Sequence, residues 1–307
     1  LEKRKLEQEG HAAMSEKSKL EGQCWLCGRW RELTREHIPP RSAFNNHPIL
    51  LYTVEENVRR TGRIEWAGRV EKGLVVRSLC GECNSRGGGQ YGSHYADFIA
   101  RVAPAVERAR DREQIIISGV QRPLSILKQI MQTFVSANGP DFVAANPWIR
   151  RFIRDSKNKE WPQSLFAYLF ATNSRECRKS GLSAFYDFGE KRIRTVAEFS
   201  FWPLGMVLSF DPLDDYPLTP IHQWASFDYG WERQLDLNLT VNPTSSAYAL
   251  DFRTRDEINK DALHREERPT VAGDKLKELI KLAQDRGGGA KKDTWAYFTK
   301  TTPTIEE

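Results

Sequence analysis

Cys24-Trp25-Leu26-Cys27, then Thr34-Arg35-Glu36-His37-Ile38-Pro39-Pro40, then Cys80-Gly81-Glu82-Cys83-Asn84: these three pieces decide how the first third of the chain folds. Two cysteines with two residues between them sit on one turn, where both thiolates reach a single tetrahedral ion. Two such pairs complete a four-sulfur shell with no position left for water. An ion bound by Cys24, Cys27, Cys80 and Cys83 would therefore hold the fold and perform no chemistry. The rival reading, buried or disulfide-paired cysteines, has to explain why the spacing occurs twice while the remaining cysteine, Cys177, stands alone. With both knuckles on one ion, Glu36-His37 is carried towards Asn84, which directly follows the last thiolate. Carboxylate and amide oxygens are hard ligands suited to magnesium or manganese, and a neutral imidazole is a natural general base for water.

At these residues the sequence resembles the HNH endonucleases, the ββα-metal nucleases. The shared pattern is a cysteine knuckle, a strand ending in Glu36-His37 with Ile38 and Pro39 after it, and a second knuckle followed at once by Asn84. The resemblance covers under a third of the chain. It implies a zinc-stabilised ββα-metal module with His37 as general base, Glu36 and Asn84 as ligands of one catalytic Mg²⁺ or Mn²⁺, and the four cysteines on structural Zn²⁺. It implies a DNA substrate cut to leave 5′-phosphate ends and, by analogy, a role in bacterial or phage defence or restriction. Two departures stand out. Gly73-Leu74 replaces the middle Asn-Leu of the family pattern, which leaves open what orients His37; a backbone carbonyl could serve. Asn84 stands where many members have His, which favours Mg²⁺ or Mn²⁺ over Zn²⁺ at the reaction centre.

Charge agrees with a polyanionic partner: the net value is +5, and Arg29, Arg31, Arg35, Arg41, Arg77 and Arg86 crowd the motif region. Arg outnumbers Lys there, and its planar fork matches phosphate. Arg41, Arg86 and His94 are the candidate phosphate contacts, against a plain solvated face for the arginines and a packed helix histidine for His94. No run approaches the roughly 20 apolar residues of a membrane helix, so no membrane partner is expected. The polar N-terminus shows no signal peptide, and reduced metal-binding thiols suit the cytoplasm.

Four segments are expected, giving an α+β protein. Residues 1–22 form a charged helical arm suited to docking or to a homo-oligomer contact. Residues 23–112 form the HNH module, with an insertion at 45–72 containing strands His47–Val54 and Arg63–Val70. Residues 113–254 form a larger α+β domain with a mostly antiparallel sheet, and 255–307 a charged tail with a helix. The run Arg86–Gly92, with its three consecutive glycines, predicts a bend. Pro123–Ala137 has helical apolar spacing and Phe142–Asp155 predicts a second helix. Strands are predicted at Leu165–Thr172, Leu182–Phe188, Ile193–Phe201, Met206–Phe210, Leu235–Val241 and Ala247–Phe252. Aromatics such as Phe170, Phe199 and Trp224 are read as falling at strand positions and are assigned to sheet core rather than to base stacking. The functional expectation is a DNA endonuclease whose second domain recognises a DNA feature, a regulatory protein or a nucleotide ligand. The alternative is a zinc-stabilised nucleic-acid-binding module without hydrolytic activity.

Overall fold

A computed structural model describes residues 20–53, 68–187, 192–246 and 248–262, together with Glu278, Lys281, Leu282, Asp285 and Arg286. Of the helical arm expected over residues 1–22, residues 1–19 lie outside the described residues, as does most of the C-terminal tail, and Glu21 and Gly22 belong to a strand instead of a helix. The chain is a mixture of helix and mostly antiparallel sheet.

The N-terminal part is a small antiparallel sheet of β1 (Glu21–Gln23), β2 (Trp30–His37) and β5 (Val75–Cys80), in the order β1-β2-β5. Strand β5 passes at Cys80 straight into α1 (Gly81–Gly87). The predicted bend over Arg86–Gly92 does not occur. The chain stays helical through a π-turn, Gly88–Gly92, into α2 (Ser93–Val106). Gly87 has a packing reason instead: a Cβ there would lie 1.8 Å from Gln132 Oε1. Its missing side chain is what lets another helix approach.

That helix is α3 (Pro123–Asn138), and every residue of it is buried. Its polar members Gln129, Gln132, Thr133 and Ser136 are enclosed along with its apolar ones. It packs against the π-turn and α2 on one side and against strands of the larger sheet on the other. The predicted helix over Phe142–Asp155 is two helices, α4 (Pro140–Ala145) and α5 (Trp148–Arg154), interrupted at Asn146-Pro147. Proline disfavours helical geometry in the residue before it, which accounts for the break.

The large sheet has seven strands in the order β11-β7-β10-β9-β8-β3-β4. They are β3 (Ile49–Thr53), β4 (Gly68–Val70), β7 (Phe166–Ala171), β8 (Glu176–Asp187), β9 (Arg192–Phe201), β10 (Leu204–Ser209) and β11 (Thr219–Pro220). The insertion between the two arms of the hairpin is therefore more than a local decoration, since β3 adds to β8 in parallel and extends the sheet. Alternation puts Ala167, Leu169, Ala197 and Phe199 on the α3 side and Tyr168, Phe170, Val196 and Val207 on the other. The α3-side cluster runs continuously from Cys24 to Val241, so the hairpin and the large sheet share one core. A separate pair joins β6 (Gln114–Gln121) to β12 (Arg233–Thr240). The strand expected at Ala247–Phe252 is absent among the described residues 248–252, which form a turn with Leu250 at φ 60°. The Leu250 amide donates to the buried Glu198 carboxylate at 2.7 Å, so this segment's backbone is used by a side chain instead of a ladder.

Candidate functional site

The two knuckles meet. The sulfurs of Cys24, Cys27, Cys80 and Cys83 all lie within 4.8 Å of one another, and Cys27 Sγ is 3.9 Å from Cys80 Sγ. Four sulfurs at about 2.3 Å from a tetrahedral zinc would be about 3.8 Å apart. The spacing fits a shared metal ion such as zinc, and all five cysteines are free thiols, which removes the disulfide reading. Local backbone explains the convergence. Gly28, at φ 74°, closes the first turn with its amide on the Cys24 carbonyl at 2.8 Å, and the Cys80 amide donates to Cys24 Sγ at 3.3 Å. Arg150 Nε reaches from α5 to the Leu26 carbonyl at 3.0 Å, fixing the knuckle to the helical layer. Hydrogen bonding from Cys83 pulls the Cys24 thiol down to about 4, while Cys83 is pushed up in return.

From this cluster the hairpin and α1 position the three motif residues. Asn84 packs against β2: its Nδ2 donates to Thr34 Oγ1 at 2.9 Å and to the Arg35 carbonyl at 3.4 Å. His37 ends β2 and is half-buried. Its partial burial, with Arg41 and Arg35 nearby, lowers its pKa, and the Lys72 backbone carbonyl facing the ring opposes this. The downward shift favours the neutral imidazole, the form a general base needs.

Glu36 is placed differently from its neighbour. It is 4% exposed, and its carboxylate accepts from Ser78 Oγ at 2.8 Å, Ser136 Oγ at 2.7 Å and Gln132 Nε2 at 2.9 Å. Burial raises its pKa, with Ser136, Gln132 and Ser78 opposing the shift. In this arrangement Glu36 and Asn84 do not present a joint set of oxygens, and the residues as placed do not fit a second cation. Among the described residues, the cysteine cluster is the sole group of three or more His, Cys, Asp or Glu side chains disposed to hold a metal.

The phosphate candidates separate. Arg41 is exposed and lines an open groove of about 570 Å³ with Pro40, Ser42, Asn46, Gly88 and Ser93. Arg86 is engaged elsewhere, donating to the Arg154 carbonyl at 3.2 Å and pairing with Glu82 at 3.6 Å. The His94 ring contacts the Arg122 guanidinium, which is anchored on Glu232 at 2.8 Å. Its described partners include none of Glu36, His37 or Asn84.

One residue that the motif does not announce completes the loop around His37. Asn45, fully buried, donates Nδ2 to the Pro39 carbonyl at 2.8 Å and to the Leu74 carbonyl at 3.0 Å, and accepts from the Leu74 amide at 2.7 Å. It ties the segment after His37 to the segment carrying the Lys72 carbonyl. Gly73, at φ 76°, leaves space for it, since a Cβ there would lie 2.3 Å from Asn45 Oδ1. A comparison with protein-family models, with curated proteins and with solved structures returned no match to this chain, so the site is interpreted from its own geometry.

Proposed function

We propose that the chain is a metal-dependent endonuclease of the HNH type that hydrolyses DNA phosphodiester bonds. The observation that carries this reading is the half-buried imidazole of His37 at the end of β2, with Arg35 and Arg41 nearby. The partner strand of that hairpin runs through the thiol cluster into the helix bearing Asn84. His37 takes the proton from a water whose oxygen attacks the scissile phosphorus; the bond from phosphorus to the 3′ oxygen breaks, the departing 3′ oxygen takes a proton from solvent, and the 5′ side keeps the phosphate. Arg41, on the groove beside it, holds the phosphate, where its guanidinium offers two parallel donors to two oxygens. Zinc on the four cysteines keeps hairpin and helix together and takes no part in the reaction. A bound Mg²⁺ or Mn²⁺ would supply charge neutralisation at the phosphate; Asn84 could offer it an amide oxygen, whereas Glu36 as placed is held by Ser78, Gln132 and Ser136.

The test is cleavage of plasmid and linear DNA by purified chain with Mg²⁺ or Mn²⁺. Replacing His37 by Ala is expected to lower the rate by about 10²–10⁴-fold, the usual contribution of a positioned base. Undiminished cleavage by that variant overturns the assignment. The burial of Glu36 favours a second reading, a zinc-stabilised nucleic-acid-binding module. Binding without cleavage of single- and double-stranded DNA and RNA under either cation would establish it.

A further inference from the structure

We propose that Trp231 and Arg233 form a platform for an unpaired nucleobase, so that the substrate reaching the Arg41 groove is single-stranded DNA or a single-stranded stretch of it. This rests on the phosphodiesterase reading above and names the substrate class for that site.

Trp231 departs from the other aromatics of the second half of the chain. Phe170, Phe199 and Trp224 are enclosed, whereas Trp231 is 52% exposed. The backbone puts it outside. Asp228–Trp231 is a tight turn closed by the Trp231 amide on the Asp228 carbonyl at 3.1 Å, with Gly230 at φ 77° in the third position, where a positive φ favours glycine. The turn is anchored on both sides of that glycine's neighbour: Tyr229 meets Tyr91 of the π-turn edge-on at 6.3 Å, and Lys159 holds Asp228 at 2.9 Å. A seated turn holds the indole out without ordering it anew on binding.

Arg233 supplies the cation. Its guanidinium lies 5.2 Å from the centre of the Trp231 ring and 5.8 Å from that of Phe227, and among the described residues no carboxylate pairs with it. It opens β12 opposite Gln121, on the face that carries the buried Leu237 and Leu239 further along. At this end of the ribbon that face has lost its cover, so charge and ring stand together at the surface.

Two contacts join the platform to the groove. Glu232, between the two platform residues, is held by Arg122 at 2.8 Å, and the Arg122 guanidinium touches the ring of His94, which follows the groove residue Ser93. Tyr91, the partner of Tyr229, directly precedes Gly92 of the same lining. Trp30 is more exposed still, at 72%, but it begins β2 and His37 ends it. In a duplex both faces of each base are covered by its neighbours, so an indole has nothing to stack on. An unpaired base gains a ring at Trp231 and its phosphate a charge at Arg233, the combination that single-strand-binding surfaces use.

The experiment uses full-length, zinc-loaded chain without Mg²⁺ or Mn²⁺, so that the strand stays intact, and measures fluorescence anisotropy of a labelled single-stranded DNA oligonucleotide and of its duplex. Trp231→Ala is expected to weaken single-strand binding about 5–150-fold, the loss of one stacked base, and to leave duplex binding within about twofold. Trp231→Phe should retain most of the affinity. Arg233→Ala should reduce the slope of log affinity against log salt for the single strand by about 0.7. Unchanged single-strand affinity in the folded Trp231→Ala chain overturns the proposal, as does an equal loss for the duplex. A change confined to self-association in sedimentation also overturns it, since the indole would then be a contact between copies of the chain. Trp231-dependent single-strand binding without cleavage on adding Mg²⁺ or Mn²⁺ supports the platform and removes the hydrolase reading. Cleavage with an affinity that ignores Trp231 does the reverse.

Discussion

Two buried carboxylates in this molecule are handled in opposite ways. Glu198, in the middle of the large sheet, is fully enclosed and meets a guanidinium: Arg178 Nε donates to it at 2.7 Å and the Leu250 amide at 2.7 Å. Arg178 is itself tied to the Asp251 carbonyl at 2.8 Å, so charge, hydrogen bonds and the adjoining turn close on one another. Glu36 is almost as deeply enclosed and has only hydroxyls and an amide. Burial pushes both groups up from the ordinary carboxylate range. An ionised carboxylate is costly to bury, and the usual answer is the one found at Glu198. The difference shows that the sheet carboxylate is closed by a counter-charge, whereas the hairpin carboxylate is held by neutral donors.

The largest effect that could break this comparison belongs to the sheet carboxylate. Arg178→Met strips Glu198 of its counter-charge while keeping most of the side-chain volume. Removing one partner of a buried pair costs about 3–5 kcal/mol. Chemical denaturation of the zinc-loaded protein should show a loss of that size. A loss below about 1 kcal/mol, the scale of an exposed ion pair, would mean that Glu198 is no better compensated than Glu36.

A middle-sized effect is expected from Asn45, whose three hydrogen bonds are all to backbone groups. Asn45→Ala strands a buried amide and two carbonyls and is expected to cost about 2–3 kcal/mol. It should also slow DNA cleavage more than Arg86→Ala does, because it loosens the segment that brings the Lys72 carbonyl to His37. Equal rates for the two variants would reduce Asn45 to a purely structural brace. This residue marks where the sequence stopped being legible. The cysteine pairs, the hairpin and the helix after Cys83 are local patterns, and their spacing carries them. Asn45 bonds to main chain, so no side-chain pattern points to it. The donors to Glu36 lie 42, 96 and 100 residues away, and the glycine at 87 answers to a glutamine in another helix. The apolar period of α3 announces a helix with one buried face. It says nothing of the polar face that is buried as well, since that depends on what the hairpin brings to it.

The smallest effect is the most discriminating. Glu36→Gln preserves shape, and the serine hydroxyls can accept where they formerly donated, while Gln132 can turn its unsatisfied Oε1 towards the new amide. The static cost should be under about 1 kcal/mol. The pH dependence carries the information. The folded-state pKa of Glu36 is raised above the ordinary value of 4.5. Below that value folded and unfolded chains both hold the proton, so its contribution to stability is complete there. It is lost as the pH climbs through the raised folded value, where the unfolded chain releases its proton first. The glutamine cannot titrate, so Glu36→Gln should gain in Tm relative to the parent as the pH rises from about 5 to about 8. Glu198 is present in both proteins and drops out of the difference. A Tm difference that stays flat over this range would mean that Glu36 is ionised at little cost under α3, and the contrast with Glu198 would dissolve.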